Sequence, residues 1–286
     1  MQFKSSITVF CALLTIVSAL AIAPAIGAKD EKLKPEQIIS KHLESIGPAE
    51  KLKEMKTRVV NGMVHLDVHV GGQANLTGQG TILSQGDSIR AGFTFPALEY
   101  PGEQFSYDGQ KTGISQVQPG VRSPLGKFIF ENDMLLKEGL LFGELSTSWA
   151  LLNTAERQPK LDLSGPKKVN GRSLYEVKYE ARKGRGNVQA WLYFDPDTFH
   201  HVRSQYKVEF ANTEVQKIGD TVEPERYTLI EEFDQFKAVD GLTLPHSYKL
   251  DFSIDSPRGG FVATWTYAIS GIAHNQAVDR QLFLVK

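Results

Sequence analysis

The sequence predicts a mostly β chain of the α+β class, built on one large antiparallel sheet. Three observations predict it. Period-two runs fill most of the 286 residues, Gly, Asp and Pro turn signals separate them at short intervals, and helical spacing is confined to the beginning and one central stretch. Strands joined by short turns describe an antiparallel meander, because parallel strands need long crossovers.

Taken in order, the first residues have three zones. Lys4 supplies positive charge, Ile7 to Ala23 is almost wholly apolar, and small residues follow. Ala23-Pro24-Ala25 places small residues at the −3 and −1 positions of a cleavage site, with Ala28 as an alternative end. The pattern reads as a secretory signal peptide over 1–25, followed by a flexible charged tail over 26–34. The apolar stretch is short for an anchor of about 20 residues, which is the alternative reading. Cys11, the only cysteine, lies inside the apolar zone rather than at a cleavage point, so lipidation is not expected there. A mature chain without cysteine has no disulfide, thiol nucleophile or thiolate metal site. Losing Lys4 leaves 31 basic against 33 acidic residues, a net charge of about −2. Nucleic-acid binding needs a clustered basic face, which this balance does not provide.

Lys34-Pro35-Glu36 opens a helix, with proline at its first turn and an acid beside it. Ile38, Ile39, His42, Leu43 and Ile46 recur at helical spacing until Gly47-Pro48, and a short turn carries Leu52 and Met55 inward. From Arg58 the period becomes two: Val64, Leu66, Val68 and Val70 alternate with His65, Asp67 and His69 before Gly71-Gly72. Further runs pass through Ile82, Phe93/Phe95, Phe105/Tyr107 and Ile114/Val117. After Ser123-Pro124 two helical stretches are expected, over Leu125–Asn132 and Leu136–Leu152, the second interrupted by Gly139 and Gly143. Each interior glycine costs a helix up to about 1 kcal/mol relative to alanine. Strands resume after Pro159, through Tyr175–Tyr179, Val202–Phe210, Leu250–Ile254 and Phe261–Ile269, with turns at Asn170-Gly171, Asp195-Pro196 and Asp240-Gly241. No repeat or linker divides 35–286, which reads as one domain with a helical insert over 123–153.

About ten strands of ~8 residues make a sheet ~26 Å tall and ~45 Å wide. Three or four helices ~10 Å across leave part of one face uncovered. Nearly every strand places bulky apolar residues on that face, and permanent exposure would be a solubility hazard. Either the sheet curls around the helices and fills its own interior, or an apolar ligand occupies the gap.

Four segments carry a family resemblance: Ile38-Ile39…Leu43…Ile46-Gly47, Val59-Val60-Asn61-Gly62-Met63, Phe105 to Thr112 with Asp108-Gly109 at its turn, and Leu192 to Thr198. In this order they resemble the LolA/LolB-like periplasmic lipoprotein-carrier superfamily, over residues 35–270. The resemblance implies a half-barrel of about eleven antiparallel strands in a single curved sheet, with a few helices plugging the concave side over a hydrophobic cavity. It further implies a periplasmic carrier that takes acyl chains of a lipid or lipoprotein and transfers them between membranes, working with inner- or outer-membrane delivery proteins. The family's arginine at the cavity mouth has no matching motif here, and Arg90 is the positional candidate.

The candidate lining of such a cavity is Phe93, Phe95, Phe105, Tyr107, Tyr193, Tyr206, Phe252, Trp265 and Tyr267 from the strands, with Leu141, Leu145 and Trp149 from the insert. These residues equally suit plain core packing; as a lining they grip an acyl chain by area, at about 25 cal/mol per Å². His65-Leu66-Asp67-Val68-His69 places three possible ligands on one strand face, but adjacent ones sit ~6.8 Å apart and the same spacing describes a solvated face, so no metal is expected. His200 and His201 point to opposite faces, as do Glu231 and Glu232, so neither pair forms a dyad. No G-x-S-x-G, P-loop, G-x-G-x-x-G after a strand, or H-E-x-x-H occurs, and no cofactor or catalytic residue is assigned. The expected function is acyl-chain carriage. The alternatives are a lipid-sensing or protein-interaction module of the same fold, and an enzyme on a lipidic or glycan substrate if His, Asp and Ser converge.

Overall fold

The computed structural model describes residues 33–182, 186–210, 224–257 and 259–284. The segment expected to be a signal peptide and the expected tail up to residue 32 lie outside the described residues. No described helix is long and apolar enough to cross a membrane.

Two helices open the described chain, α1 (Pro35–Ile46) and α2 (Ala49–Glu54). Five strands follow by successive turns: β1 (Thr57–Val70), β2 (Ala74–Gln85), β3 (Ser88–Thr94), β4 (Gly102–Tyr107) and β5 (Thr112–Ile114). A second series comprises β6 (Lys160–Val169), β7 (Arg172–Glu180), β8 (Gln189–Phe194), β9 (His201–Phe210) and β10 (Glu225–Asp234). A small hairpin of β11 (Lys237–Val239) and β12 (Leu242–Leu244) turns at Asp240-Gly241, both at positive φ, before β13 (Ser247–Asp255) and β14 (Phe261–His274). Twelve strands form one sheet in the order β5-β4-β3-β2-β1-β14-β13-β10-β9-β8-β7-β6, antiparallel throughout, with β14 joining the two series against β1. The mostly β, single-sheet class read from alternation is therefore the one observed.

β5 and β6 are the two outer edges, yet they are consecutive strands in the chain. The connection between them must cross the sheet's full width. It does so as α3 (Pro124–Glu131), α4 (Met134–Lys137), two short 3₁₀ turns (Gly143–Leu145 and Ala150–Asn153) and α5 (Thr154–Arg157). This plug also reveals the curl. Thr112 of β5 donates to Asp133 at 3.0 Å, and Tyr179 of β7 donates to Glu138 at 2.9 Å. Ten strand steps separate β5 from β7, about 48 Å if flat. Asp133 and Glu138 flank one helical turn, roughly 8 Å of rise. Only a strongly curved sheet brings both β5 and β7, the neighbour of the other edge, to them.

The long helix expected over Leu136–Leu152 is not formed. Gly139, Phe142 and Gly143 take φ of +66°, +66° and +45°, and Ala150 donates its N–H back to Gly139 O at 3.0 Å. A Cβ on Gly139 would stand 1.8 Å from Ser148 O. These glycines are required by a folded-back turn, so they are not flaws in a helix.

Close packing across the sheet centre depends on another glycine. Tyr267 is fully buried, and its hydroxyl faces Val60 O and Gly80 O at 3.1 and 2.9 Å. A Cβ on Gly80 would meet Cε2 of that ring at 2.7 Å. Gly80→Ala is expected to destabilise the protein by about 1–3 kcal/mol. The check is the urea midpoint, which should fall at unchanged slope; an unmoved midpoint would show that the ring shifts freely.

Candidate functional site

The inner face of the sheet and the plug bury a single apolar core. Phe93, Phe95, Phe105, Tyr206, Phe252, Trp265 and Tyr267 lie in it with Leu141, Leu145 and Trp149, and Tyr107 packs against it. They meet the plug directly: the Phe128 ring lies 5.2 Å from Phe252, Phe142 lies 5.7 Å from Tyr248, and Trp149 stacks on His201 at 4.8 Å.

Two candidates lie elsewhere. Tyr193 pairs in register with Glu176 and Arg203, on the face opposite Leu192 and Phe194, and its hydroxyl donates to Gln205 at 3.3 Å. A register shift at Tyr193/Phe194 and the run of three apolar residues hid that orientation from an alternation count. Arg90 alternates with the buried Ile89 and Ala91, so it too points away from the core. Its guanidinium donates to Leu282 O at 2.7 Å and to Gln104 at 2.5 Å, which places it under the C-terminal turn (Arg280–Phe283) and not at a cavity mouth.

One cleft of about 430 Å³ reaches the interior beside the start of α3. Leu66, Val68, Phe261 and Trp265 wall it from β1 and β14, with Val121 and Leu125 opposite. Its polar corner is Glu103, whose carboxylate accepts from the hydroxyls of Tyr100 and Ser123. Burial raises the Glu103 carboxyl above its ordinary range, against the pull of those donors and the Gly126 N–H. Ser123 Oγ also accepts from Gly126 N at 2.8 Å, so one residue caps α3 and ties it to β4.

Farther along, Glu231 fastens the plug to the sheet. It accepts from Phe142 N–H at 2.6 Å, from Tyr248 at 2.8 Å and from Tyr206 at 2.8 Å. Tyr206 faces Leu140 O at the same 2.8 Å, and one hydroxyl proton cannot serve two acceptors. Both contacts are satisfied when Glu231 carries a proton and donates it to Tyr206. Burial, the dominant influence, pushes Glu231 up to about 7.

A buried histidine pair adjoins this point. Trp149 Nε1–H donates to His42 Nε2 at 3.0 Å, so the His42 proton sits on Nδ1, facing Phe199 O at 3.1 Å. Burial lowers His42 to about 3, in keeping with that neutral form. Glu144 Oε2 lies 3.5 Å from the same Nε2, whose lone pair is already used, so the contact is no ion pair. His201 Nε2 and Ser204 Oγ are 3.0 Å apart, yet both residues are fully buried and neither lines a described cleft named here. Glu231 turns inward and Glu232 outward to Arg203, as the strand period requires. His65 and Asp67 meet at 3.2 Å on an exposed face, and among the described residues no group of three or more such side chains could hold a metal ion.

Sequence reasoning missed Glu103, Glu231, His42 and His201 as polar anchors. A signal was present: Glu103 is in phase with Phe105, Glu231 with Leu229 and Phe233, and His42 sits in the apolar stripe of α1.

No family model matches the sequence, and no curated protein matches it significantly. Solved structures similar to it include a LolA superfamily protein, NE2245, from Nitrosomonas europaea, at 14% identity, covering 88% of this chain and 98% of that one, with a TM-score of 0.49. A DUF1329 family protein from Desulfovibrio piger has 12% identity, 88% and 98% coverage, and a TM-score of 0.42. A domain assigned as an outer membrane lipoprotein-sorting protein from Vibrio parahaemolyticus has 11% identity, 86% and 97% coverage, and a TM-score of 0.41.

The position of Glu231 predicts a pH effect with a definite sign. Its carboxyl is raised in the fold from the ordinary 4.5 to about 7, so the folded state holds the extra proton between those values. Its stabilising contribution is full below pH 4.5 and is lost as pH rises through 7, about 3 kcal/mol in total. His42 acts in the opposite sense, but equally in wild type and in Glu231→Gln. The stability of wild type relative to Glu231→Gln should therefore fall between pH 4.5 and 8 in denaturant titrations; a constant difference would contradict it.

Proposed function

We propose that this protein is a periplasmic carrier that binds an acyl chain of a lipid or lipoprotein and hands it between membranes. The observation that carries this reading is the cleft at Trp265. It is the size of a small-molecule site, roughly 300–1,000 Å³, and Leu66, Val68, Phe261 and Leu125 give it apolar walls, with Glu99, Glu103 and Arg122 on its polar side. Such walls suit a flexible hydrocarbon, which is held by burial alone at about 25 cal/mol per Å².

The plug supports the second half of the reading. It is made of short turns held to the sheet by a small set of polar contacts, with Ser123 at one end and Phe142 near the middle. Moving α3 away from Phe252 would extend the cleft into the aromatic interior, and the residues from Phe93 to Tyr267 would become its lining. Delivery would then require a membrane partner at the open end. A catalytic role has less support, because the Ser204–His201 pair is enclosed on all sides.

The glycines of the plug do not test this by stiffening, since alanine at Gly139 cannot be accommodated. Filling the cleft does. Val68→Trp should lower uptake of a fluorescent fatty-acid probe by roughly tenfold or more, about 1.4 kcal/mol, with melting temperature retained. Mass spectrometry of solvent extracts from protein purified without detergent should reveal a stoichiometric acylated molecule. A clean extract together with no probe uptake would leave the interior permanently filled and would turn the reading to a protein-interaction module.

A further inference from the structure

A second cleft, of about 550 Å³, lies at the other end of β1. Arg58 and Val68 are ten residues apart on that strand, roughly 33 Å at standard rise, so the two clefts are separate. Leu43, Leu52, Met55 and Leu152, all partly exposed, form its apolar walls, and Arg58 lines its floor.

Arg58 is only 3% exposed, and its bonding is unusual for a buried cation. Its Nε–H donates to His274 Nε2 at 3.0 Å, and one terminal N–H donates to the backbone carbonyl of Glu144. Both acceptors are neutral, since His274 Nδ1–H is turned to Asp240 at 2.9 Å. The guanidinium makes no salt bridge with any described carboxylate. Glu144 acts on it through space, and neither oxygen of Glu144 makes a hydrogen bond. Burial raises the Glu144 carboxyl well above its usual range, against the pull of the Arg58 charge. The rim carries Lys53 together with two acids, Asp87 paired to Arg157 at 2.8 Å and Glu44 accepting from Ser40 at 3.1 Å.

A buried charge without a counter-charge is costly, and a guanidinium is shaped for a planar or tetrahedral oxyanion. We propose that this cleft binds an anionic amphiphile, with a phosphate or carboxylate head on Arg58 and a hydrocarbon tail along Leu43, Leu52, Met55 and Leu152. The site does not depend on acyl-chain carriage at Trp265. The amphiphile gives the guanidinium an anionic hydrogen-bond acceptor, where its present acceptors are neutral, and covers the partly exposed apolar walls.

The test is calorimetric titration of the full chain with decyl phosphate, decanol and inorganic phosphate. Decyl phosphate should bind at least roughly tenfold tighter than either of the others. Arg58→Gln should remove that advantage while leaving decanol binding as it was. Leu152→Glu, on a partly exposed wall, should also weaken decyl phosphate and serves if Arg58→Gln fails to fold. Val68→Trp, in the distant cleft, should change nothing. Equal affinity for decyl phosphate and decanol would overturn the proposal, as would inorganic phosphate binding as tightly as its ester. So would a Leu152→Glu protein of unaltered affinity, or loss of binding in Val68→Trp alone, which would place the amphiphile at Trp265.

Discussion

The connection from β5 to β6 has to cross the whole apolar face of the sheet, and most of the structure follows from that. A flat twelve-stranded sheet would be wider than any 45-residue connection could cover with side chains. Curling shortens the distance and lets one plug serve both edges, as the contacts of Thr112 and Tyr179 with neighbouring plug residues demonstrate. The same curl turns the inner aromatics toward one another, so Phe93 meets Tyr267 edge-on at 6.2 Å across strands that a flat sheet would hold apart. The plug is therefore the second layer that a one-layered sheet needs in order to bury its hydrophobic face.

A plug of short turns leaves many backbone groups to satisfy, because 3₁₀ turns close few internal hydrogen bonds. The interior answers with buried side chains in place of water. Glu231 takes the Phe142 N–H, Tyr206 takes Leu140 O, Arg58 takes Glu144 O, and Ser84 accepts from Thr147 N at 2.9 Å. Buried polar groups are tolerated when each has its partner. Here they also specify where the plug sits, since an apolar interior alone would accept many placements. Glu231 makes that specification dependent on a proton, because its two tyrosines and Leu140 O are all satisfied in one protonation state only.

Much of the sheet was legible in the sequence, for a physical reason. In Val64-Leu66 and in Ala263-Trp265-Tyr267 the alternate residues face a dry interior, so period two is imposed by burial. Legibility failed where the period is broken by a local irregularity, as at Tyr193/Phe194. It failed again where burial is not apolar: Glu103 and Glu231 are in phase with inward apolar neighbours, but their charge reads as outward. The plug was visible as a change of period but not as a structure. Gly139 and Gly143 look like weaknesses in a helix until the positive φ of each is known. The candidate lining was legible as a set of inward aromatics, yet of these Trp265 alone borders either of the two clefts described above, because openness depends on how the plug packs and leaves no trace in composition.

The location of the clefts follows from the same constraint. A plug that spans the sheet from edge to edge fills the middle of the trough and cannot fill its ends, because it crosses the strands and does not run along them. β1 is the longest central strand together with β14, at 14 residues each, and both extend past the plug. The apolar residues near their ends, Val68 and Phe261 at one and the ground around Arg58 at the other, meet the two extremities of the plug, Leu125 at one and Leu152 at the other, together with loops, α1 and α2. The two clefts thus lie toward the two ends of β1. The two ends also differ in kind: at one, Glu103 accepts from two hydroxyls and Arg122 lies beside it, and at the other Arg58 donates to neutral acceptors. The ligands proposed for them differ accordingly, a hydrocarbon chain beside Trp265 and a chain that carries an anion beside Arg58.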